Sequence, residues 1–346
     1  MIRALAAGLL GLVGLLAAAA ATAADTHLLA IAGLGGEPQY QEAFHQQAIA
    51  LADAALAAGV PAERVTVLTE DPSRAEGRVA ARSTRENVQS ALADLAERSR
   101  PGDEVWIVLL GHGSASGHVS RVNLPGPDLT DGDYAAALVP LADRKVVFVI
   151  AASSSGGFLT SLAGPDRVVI TATRSAGERN ETIFGRLFVE ALASERSDAD
   201  RDGRVSVLEA FLAANREVER HYETEKLLRT EHALLDDNGD GEGSQTPEPL
   251  GGEDGGADGM LAARLHLAGG AGPAVPEELR GLAERRAELA DQLDELRRQK
   301  ATLSEEVYTR ELQRLLLEIA QIDTRLRAAA EPGAETGAEP GDGGAR

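Results

Sequence analysis

The chain has 346 residues, no cysteine, and 55 acidic against 34 basic residues, a formal net charge of −21. That excess argues against nucleic acid and anionic membrane surfaces as partners, and the missing cysteine excludes disulfides and thiol chemistry. Aromatic residues make up 3% of the sequence, too few for platforms that stack sugars or bases.

Arg3, the apolar run Ala4 to Ala20, and Ala21-Thr22-Ala23-Ala24 form the three parts of a secretory signal peptide. Cleavage is expected just before Ala24 or Asp25, so residues 1–24 are a leader and the mature chain is exported, periplasmic or secreted. An uncleaved membrane anchor is the alternative, and the small-residue exit favours cleavage. No other stretch is apolar for long enough to span a bilayer, so no membrane contact is expected after cleavage. An exported chain without disulfides draws its stability from a core or from bound metal.

From Thr26 to about Thr173, short apolar runs alternate with helical patterns. His27–Ala32 reads as a strand ending in Gly33-Leu34-Gly35-Gly36, and Tyr40–Ala58 as a helix carrying Phe44, Ala48, Leu51 and Leu56. Arg64–Leu68 is the next strand, and Thr84 is placed to cap a helix through Ala96. Val105–Leu110, Lys145–Ile150 and Val168–Ala172 are further strands, with helices at Asp131–Leu138 and Gly156–Leu162 between them. Such alternation implies α/β architecture, a mostly parallel sheet covered by helices on both faces in a three-layer sandwich. Helices follow at Thr182–Ala193 and Val207–Val218, a loop at 236–258, and an edge strand at Met260–Leu267.

Two strand ends stand out. One runs Val105-Trp106-Ile107-Val108-Leu109-Leu110 into Gly111-His112-Gly113-Ser114. The other runs Val146-Val147-Phe148-Val149-Ile150 into Ala151-Ala152-Ser153-Ser154-Ser155-Gly156. Side chains from neighbouring strands converge at the carboxyl edge of a parallel sheet, so His112 is a candidate base, Ser153 a candidate nucleophile, and Gly113 a source of backbone N–H for an oxyanion. Ala32-Gly33, Gly36 with Tyr40, Thr84-Arg85-Glu86-Asn87, Asp128-Leu129 and Ser155-Gly156 complete a pattern that resembles legumain-like and caspase-like cysteine peptidases over Thr26 to Ala172. The resemblance implies a caspase-like fold spanning residues 25–268 and a Cys at the position Ser153 holds. It also implies an Asn supporting the His and an Arg binding the substrate side chain, where this chain has Gly35 and Gln41. The His is kept; thiol, Asn and Arg are gone. A serine needs a tightly oriented base, and an Asp128 or Asp133 close to His112 would be required to make Ser153 work.

A second constellation is metallic. Asp198, Asp200, Asp202, Gly203, Arg204, Ser206 and Glu209 fill positions 1, 3, 5, 6, 7, 9 and 12 of an EF-hand loop. Alternate carboxylates, a turn glycine, the Arg204 backbone carbonyl and a late bidentate Glu supply the oxygens that Ca²⁺ needs. Asp236, Asn238, Asp240 and Glu242 start a weaker copy in which Pro247 replaces the last Glu and no helix follows, so 198–250 forms a calcium-loop region.

Residues 269–275 read as a Gly/Pro/Ala linker. Leucines at near-heptad spacing over 276–328, interrupted at Thr302–Ser304, predict a helical hairpin, with one long coiled coil as the alternative. Residues 329–346 have the composition of a disordered tail.

The expected function is that of an exported, calcium-binding pseudopeptidase that holds a peptide or protein partner. A residual hydrolase using Ser153 and His112 is one alternative. A structural assembly protein, homo-oligomeric through 276–328, is another.

Overall fold

A computed structural model describes residues 24–75, 77–200, 202–248, 257–267 and 302–330, with single positions between 279 and 299. The predicted leader to residue 23, the linker and the tail beyond residue 330 lie outside the described residues.

Among the described residues there are ten strands: β1 (Thr26–Ala32), β2 (Val65–Thr69), β3 (Ala81–Arg82), β4 (Glu104–Gly111), β5 (Gly113–Ser116), β6 (Val119–Val122), β7 (Leu129–Thr130), β8 (Lys145–Ala152), β9 (Arg167–Thr171) and β10 (Leu234–Asp236). Seven of them form one sheet in the order β10-β9-β8-β4-β1-β2-β3. All its pairings are parallel except that of β10 with β9. The central strands β4 and β8 are almost continuously apolar because both faces are covered.

The two-residue period of a strand sorts those side chains. Trp106, Val108, Leu110, Val147 and Val149 face α1 (Pro38–Ala57), α5 (Phe184–Leu192) and α6 (Val207–Thr224). Ile107, Leu109, Phe148 and Ile150 face α2 (Arg85–Arg98), α3 (Asp131–Leu138) and α4 (Phe158–Leu162). The result is the mixed α/β sandwich read from the sequence. Thr84 accepts a hydrogen bond from the Asn87 amide at 3.4 Å, and Thr130 with Asp133 forms a capping box that starts α3 at Asp131.

One predicted strand is not there. Met260–Leu267 forms turns, held by Ala263 N–H to the Gly259 carbonyl and Arg264 N–H to the Leu261 carbonyl, and touches a neighbour strand-wise only at the Ser206–His266 bridge. Its Ala262, Leu265 and Leu267 are buried against the cluster under α1, α5 and α6. The open edge of β9 is instead taken by Leu234–Asp236, which pairs with Val169–Thr171. The small sheet β5-β6-β7, rooted just after His112, was not legible in the sequence.

Beyond the linker, helical positions between 279 and 296 precede a helix over Glu305–Ala330, whose first turn is capped by Ser304 accepting from Val307 N–H at 3.4 Å. Leu289, Leu293 and Leu296 form a cluster with Tyr308, Leu315 and Ile322, separate from the two clusters around the sheet. The helix runs two residues past the expected boundary at 328. Among the described residues, no helix is long and apolar enough to cross a membrane.

Candidate functional site

The β4–β8 register ends with Gly111 opposite Ala152, so the next residues out, His112 and Ser153, lie side by side at the carboxyl edge of the sheet. The sheet therefore brings the predicted pair together. It does not join them. Gly113 N–H donates to Ser153 Oγ at 3.2 Å, and the Ser153 hydroxyl donates to the Gly113 carbonyl at 3.1 Å. The hydroxyl is buried, and its donor and an acceptor position are spent on Gly113. The same bonds occupy the Gly113 N–H that an oxyanion would need. A Cβ at residue 113 would lie 2.1 Å from the Ser153 carbonyl oxygen, so this approach of the strand ends requires glycine.

His112 is half-buried. Its ring stands edge-on to Tyr40 at 4.8 Å and to Phe44 at 5.0 Å between centroids. No hydrogen bond is made between its imidazole and a carboxylate, an amide or Ser153 among the described residues. Asp128 accepts from Leu124 N–H, and Asp133 closes the α3 capping box and pairs with Arg85 at 3.2 Å, so neither orients the imidazole. Tyr40 and Phe44 are one helical turn apart on α1. That spacing was visible in the sequence, but not that both would face His112. The Glu181 carboxylate beside Tyr40 pushes its phenol above the usual range.

The positions expected for Asn and Arg carry other work. Gly35 N–H donates to Glu70 at 3.0 Å, and a Cβ at Gly35 would lie 2.3 Å from the Gln41 nitrogen. The backbone therefore leaves no room for an asparagine there. Gln41 Oε1 accepts from Arg74 at 2.9 Å.

The turn after Ser153 is strongly fixed. Ser154 adopts φ +55°, and its N–H donates to the Glu178 carbonyl at 2.7 Å. Ser155 and Thr173 exchange bonds near 3.2 Å through their hydroxyls and the Thr173 amide. Glu178 also contacts His232 Nδ1 at 2.6 Å, and the neighbouring Glu231 accepts from Ile183 and Phe184 N–H at the start of α5. Burial pushes the Glu231 carboxyl up, against the pull of those bonds. Nothing in the local sequence marked these three residues, because their partners lie about fifty positions away.

Residues 85–231 match the model of the Peptidase C13 family. Over this span the chain is similar to that family. The matched span contains His112, Gly113, Ser153 and the 198–209 loop; Gly35 and Gln41 lie before it, and it covers under half of the chain. A crystal structure of the protein GSU0716 from Geobacter sulfurreducens is similar at 15% identity and a TM-score of 0.41, covering 65% of this chain and 95% of that one. No curated protein matches.

The first acidic loop lies between α5 and α6. One carboxylate oxygen each from Asp198, Asp200 and Asp202 falls within 4.8 Å of the others. Gly203 takes φ +86° at the turn, and Ser206 with Glu209 caps α6. Glu209 Oε1 accepts from the amides of Ala199 and Asp200 at 2.7 and 3.1 Å, which draws it under the loop. The Arg204 guanidinium lies 3.6 Å from Asp202. Partial burial, with Asp202 and Glu209 alongside, pushes Asp200 up to about 6. These residues offer the oxygen-rich set a hard dication takes.

The second loop is built differently. Asp236 accepts from Gly239 and Gly241 N–H at 2.9 and 2.7 Å, Asn238 from Asp240, and Asp240 from Glu242. Ser244 exchanges backbone bonds with Leu235, which closes the loop into a tight turn. Asp258, held up at about 7 by burial, accepts from Asp237 N–H at 3.1 Å. Backbone amides take up most of this charge.

Proposed function

We propose that this chain is an exported pseudopeptidase that binds a peptide or protein partner at the carboxyl edge of its sheet and does not cleave it. The bond exchange between Ser153 and Gly113 carries this reading. It turns the hydroxyl into the backbone and leaves His112 among aromatic rings with no group to orient it. An unassisted serine hydroxyl is a poor nucleophile at neutral pH. Tyr40, His112 and the Glu181 carboxylate offer an aromatic and polar surface suited to holding a peptide. Export follows from the N-terminal apolar run and its small-residue exit.

Calcium is part of the proposal. The Asp198–Glu209 loop has the ligand set, the turn glycine and the flanking helices such a site uses, and calcium bound there would brace α5 against α6. The second loop, already satisfied by its own amides, is the weaker candidate.

A fluorophosphonate probe tests the central claim. The expected result is no stoichiometric labelling of the full chain, with or without calcium. Labelling that disappears in Ser153→Ala would replace the pseudopeptidase with a serine hydrolase.

One observation favours a second role, in assembly. Leu317 is 62% exposed beside the Arg285–Glu318 pair, an apolar side chain on the last helix that a second copy could cover.

A further inference from the structure

The acidic loop and the C-terminal helices touch. Arg286 Nη2 lies 3.8 Å from Asp200 Oδ2, across the whole linker in sequence. Asp200 Oδ1 accepts from Asp202 N–H at 3.1 Å, so the oxygen that meets Arg286 is the other one. Around it, Asp198 accepts from Asp202 and Gly203 N–H, Asp202 from Arg204 N–H, and Glu209 from Ala199 and Asp200 N–H. Four carboxylates thus share one loop. Arg204, from within the loop, and Arg286, from outside it, stand beside them as guanidinium cations. The C-terminal helices keep their own apolar cluster, so they do not depend on the sheet for their core.

We propose that Arg286 is an internal cation for this loop, and that its ion pair with Asp200 holds the C-terminal helices against the domain until a divalent cation takes its place. This rests on the reading of 198–209 as a calcium loop and adds how that loop is regulated. Calcium on Asp198, Asp200 and Asp202 brings two positive charges to within a few ångströms of the guanidinium. Both cations compete for the same carboxylate, and like charges at this separation repel. Binding and docking then oppose each other, and the coupling is reciprocal: calcium loosens the helices, and the docked helices weaken calcium binding by the same factor. An exported protein entering a calcium-rich medium would release its assembly helices there, from a compact form in which Arg286 holds them back.

The test uses the full chain and calcium chloride. Calorimetric titration compares the parent with Arg286→Gln and Arg286→Lys. Arg286→Gln is expected to bind calcium about fivefold tighter or more, and Arg286→Lys, which keeps the charge, to stay near the parent. Because the chain has no cysteine, Glu97→Cys on α2 and Arg310→Cys on the last helix can carry a pair of spin labels. Their distance distribution is expected to be narrow without calcium and broad with it, and broad in both conditions when Arg286→Gln is added. Equal affinities, or a distribution that calcium leaves unchanged, overturn the inference while the calcium reading stands. No calcium binding by any of the three proteins overturns both.

Discussion

Ser153 and Gly113 are joined by two hydrogen bonds, one in each direction, at 3.2 and 3.1 Å. The side chain that stands where a nucleophile is expected thus serves as a clasp between the end of β8 and the start of β5. The functional reading and its first consequence for stability both follow from that clasp.

Ser153→Ala removes the clasp and strands the Gly113 amide and carbonyl in a partly buried site. The expected cost is about 1–2 kcal/mol, read from the urea midpoint. A catalytic serine with no structural duty would tolerate the change with no loss, so an unchanged midpoint counts against the clasp.

Restoring the family pattern is expected to fail. Gly35→Asn would push a Cβ to 2.3 Å from the Gln41 nitrogen, so the loop after β1 must move, at a cost of about 1–3 kcal/mol. The combination of Ser153→Cys with Gly35→Asn is expected to be inactive on peptide substrates, because the imidazole still lacks an oriented partner. Turnover by this double variant, absent in the parent, would show that the scaffold had kept its machinery in reserve.

Calcium is expected to raise the melting temperature. A site of an extracellular kind has a dissociation constant of order 10⁻⁴ M, and a tenfold excess of calcium then adds about 1.4 kcal/mol. Glu209→Ala is a poor control, since Glu209 also caps α6 and ties down Ala199 and Asp200. Asp198→Asn is the cleaner variant: it is expected to abolish the shift between calcium and chelator. Superimposable melts of the parent in both buffers would remove the metal site.

Glu104 predicts a pH dependence. It opens β4, its Oε2 is buried without a partner, and burial holds the carboxyl up at about 7 against an ordinary 4.5, despite Lys145 and Arg204 nearby. The folded state keeps this proton to higher pH than the unfolded state does. Its contribution is therefore complete below pH 4.5 and is lost as pH rises through 7. Glu104→Gln cannot ionise, so its stability relative to the parent is expected to improve between about pH 5 and about pH 8.5. Urea midpoints at the two pH values check the sign, and a constant difference between the proteins would contradict it.

The C-terminal helices are expected to associate. Sedimentation of the full chain in calcium should show a species larger than a monomer at micromolar concentration, and a chain ending at residue 275 should run as a monomer. If both run as monomers, the self-assembly role of the C-terminal helices fails.

The sequence alone determined the alternation of the five main strands with their helices, the mostly parallel sheet and the placing of His112 and Ser153 at neighbouring strand ends. Runs such as Val105–Leu110 and Val146–Ile150 are short, apolar and bounded by Gly or Ser, and a two-residue period leaves little choice about what they form. The acidic pattern at 198–209 is a local signal, its residues lying within twelve positions that run from the loop into the first turn of α6. Only the tertiary structure decided what the site residues do. Whether Ser153 meets His112 or Gly113 depends on how two chain segments 40 residues apart are placed against each other. Whether Asp128, Asp133, Glu178 or Glu231 orients anything depends on contacts between distant segments, which periodicity does not encode. The edge strand was misplaced for the same reason. Leu234–Asp236 pairs with β9, whereas Met260–Leu267 is held in turns by its own backbone bonds, and both are contacts between segments far apart in sequence. The link from Arg286 to Asp200 lies furthest from the sequence, because it joins two segments that each look complete alone.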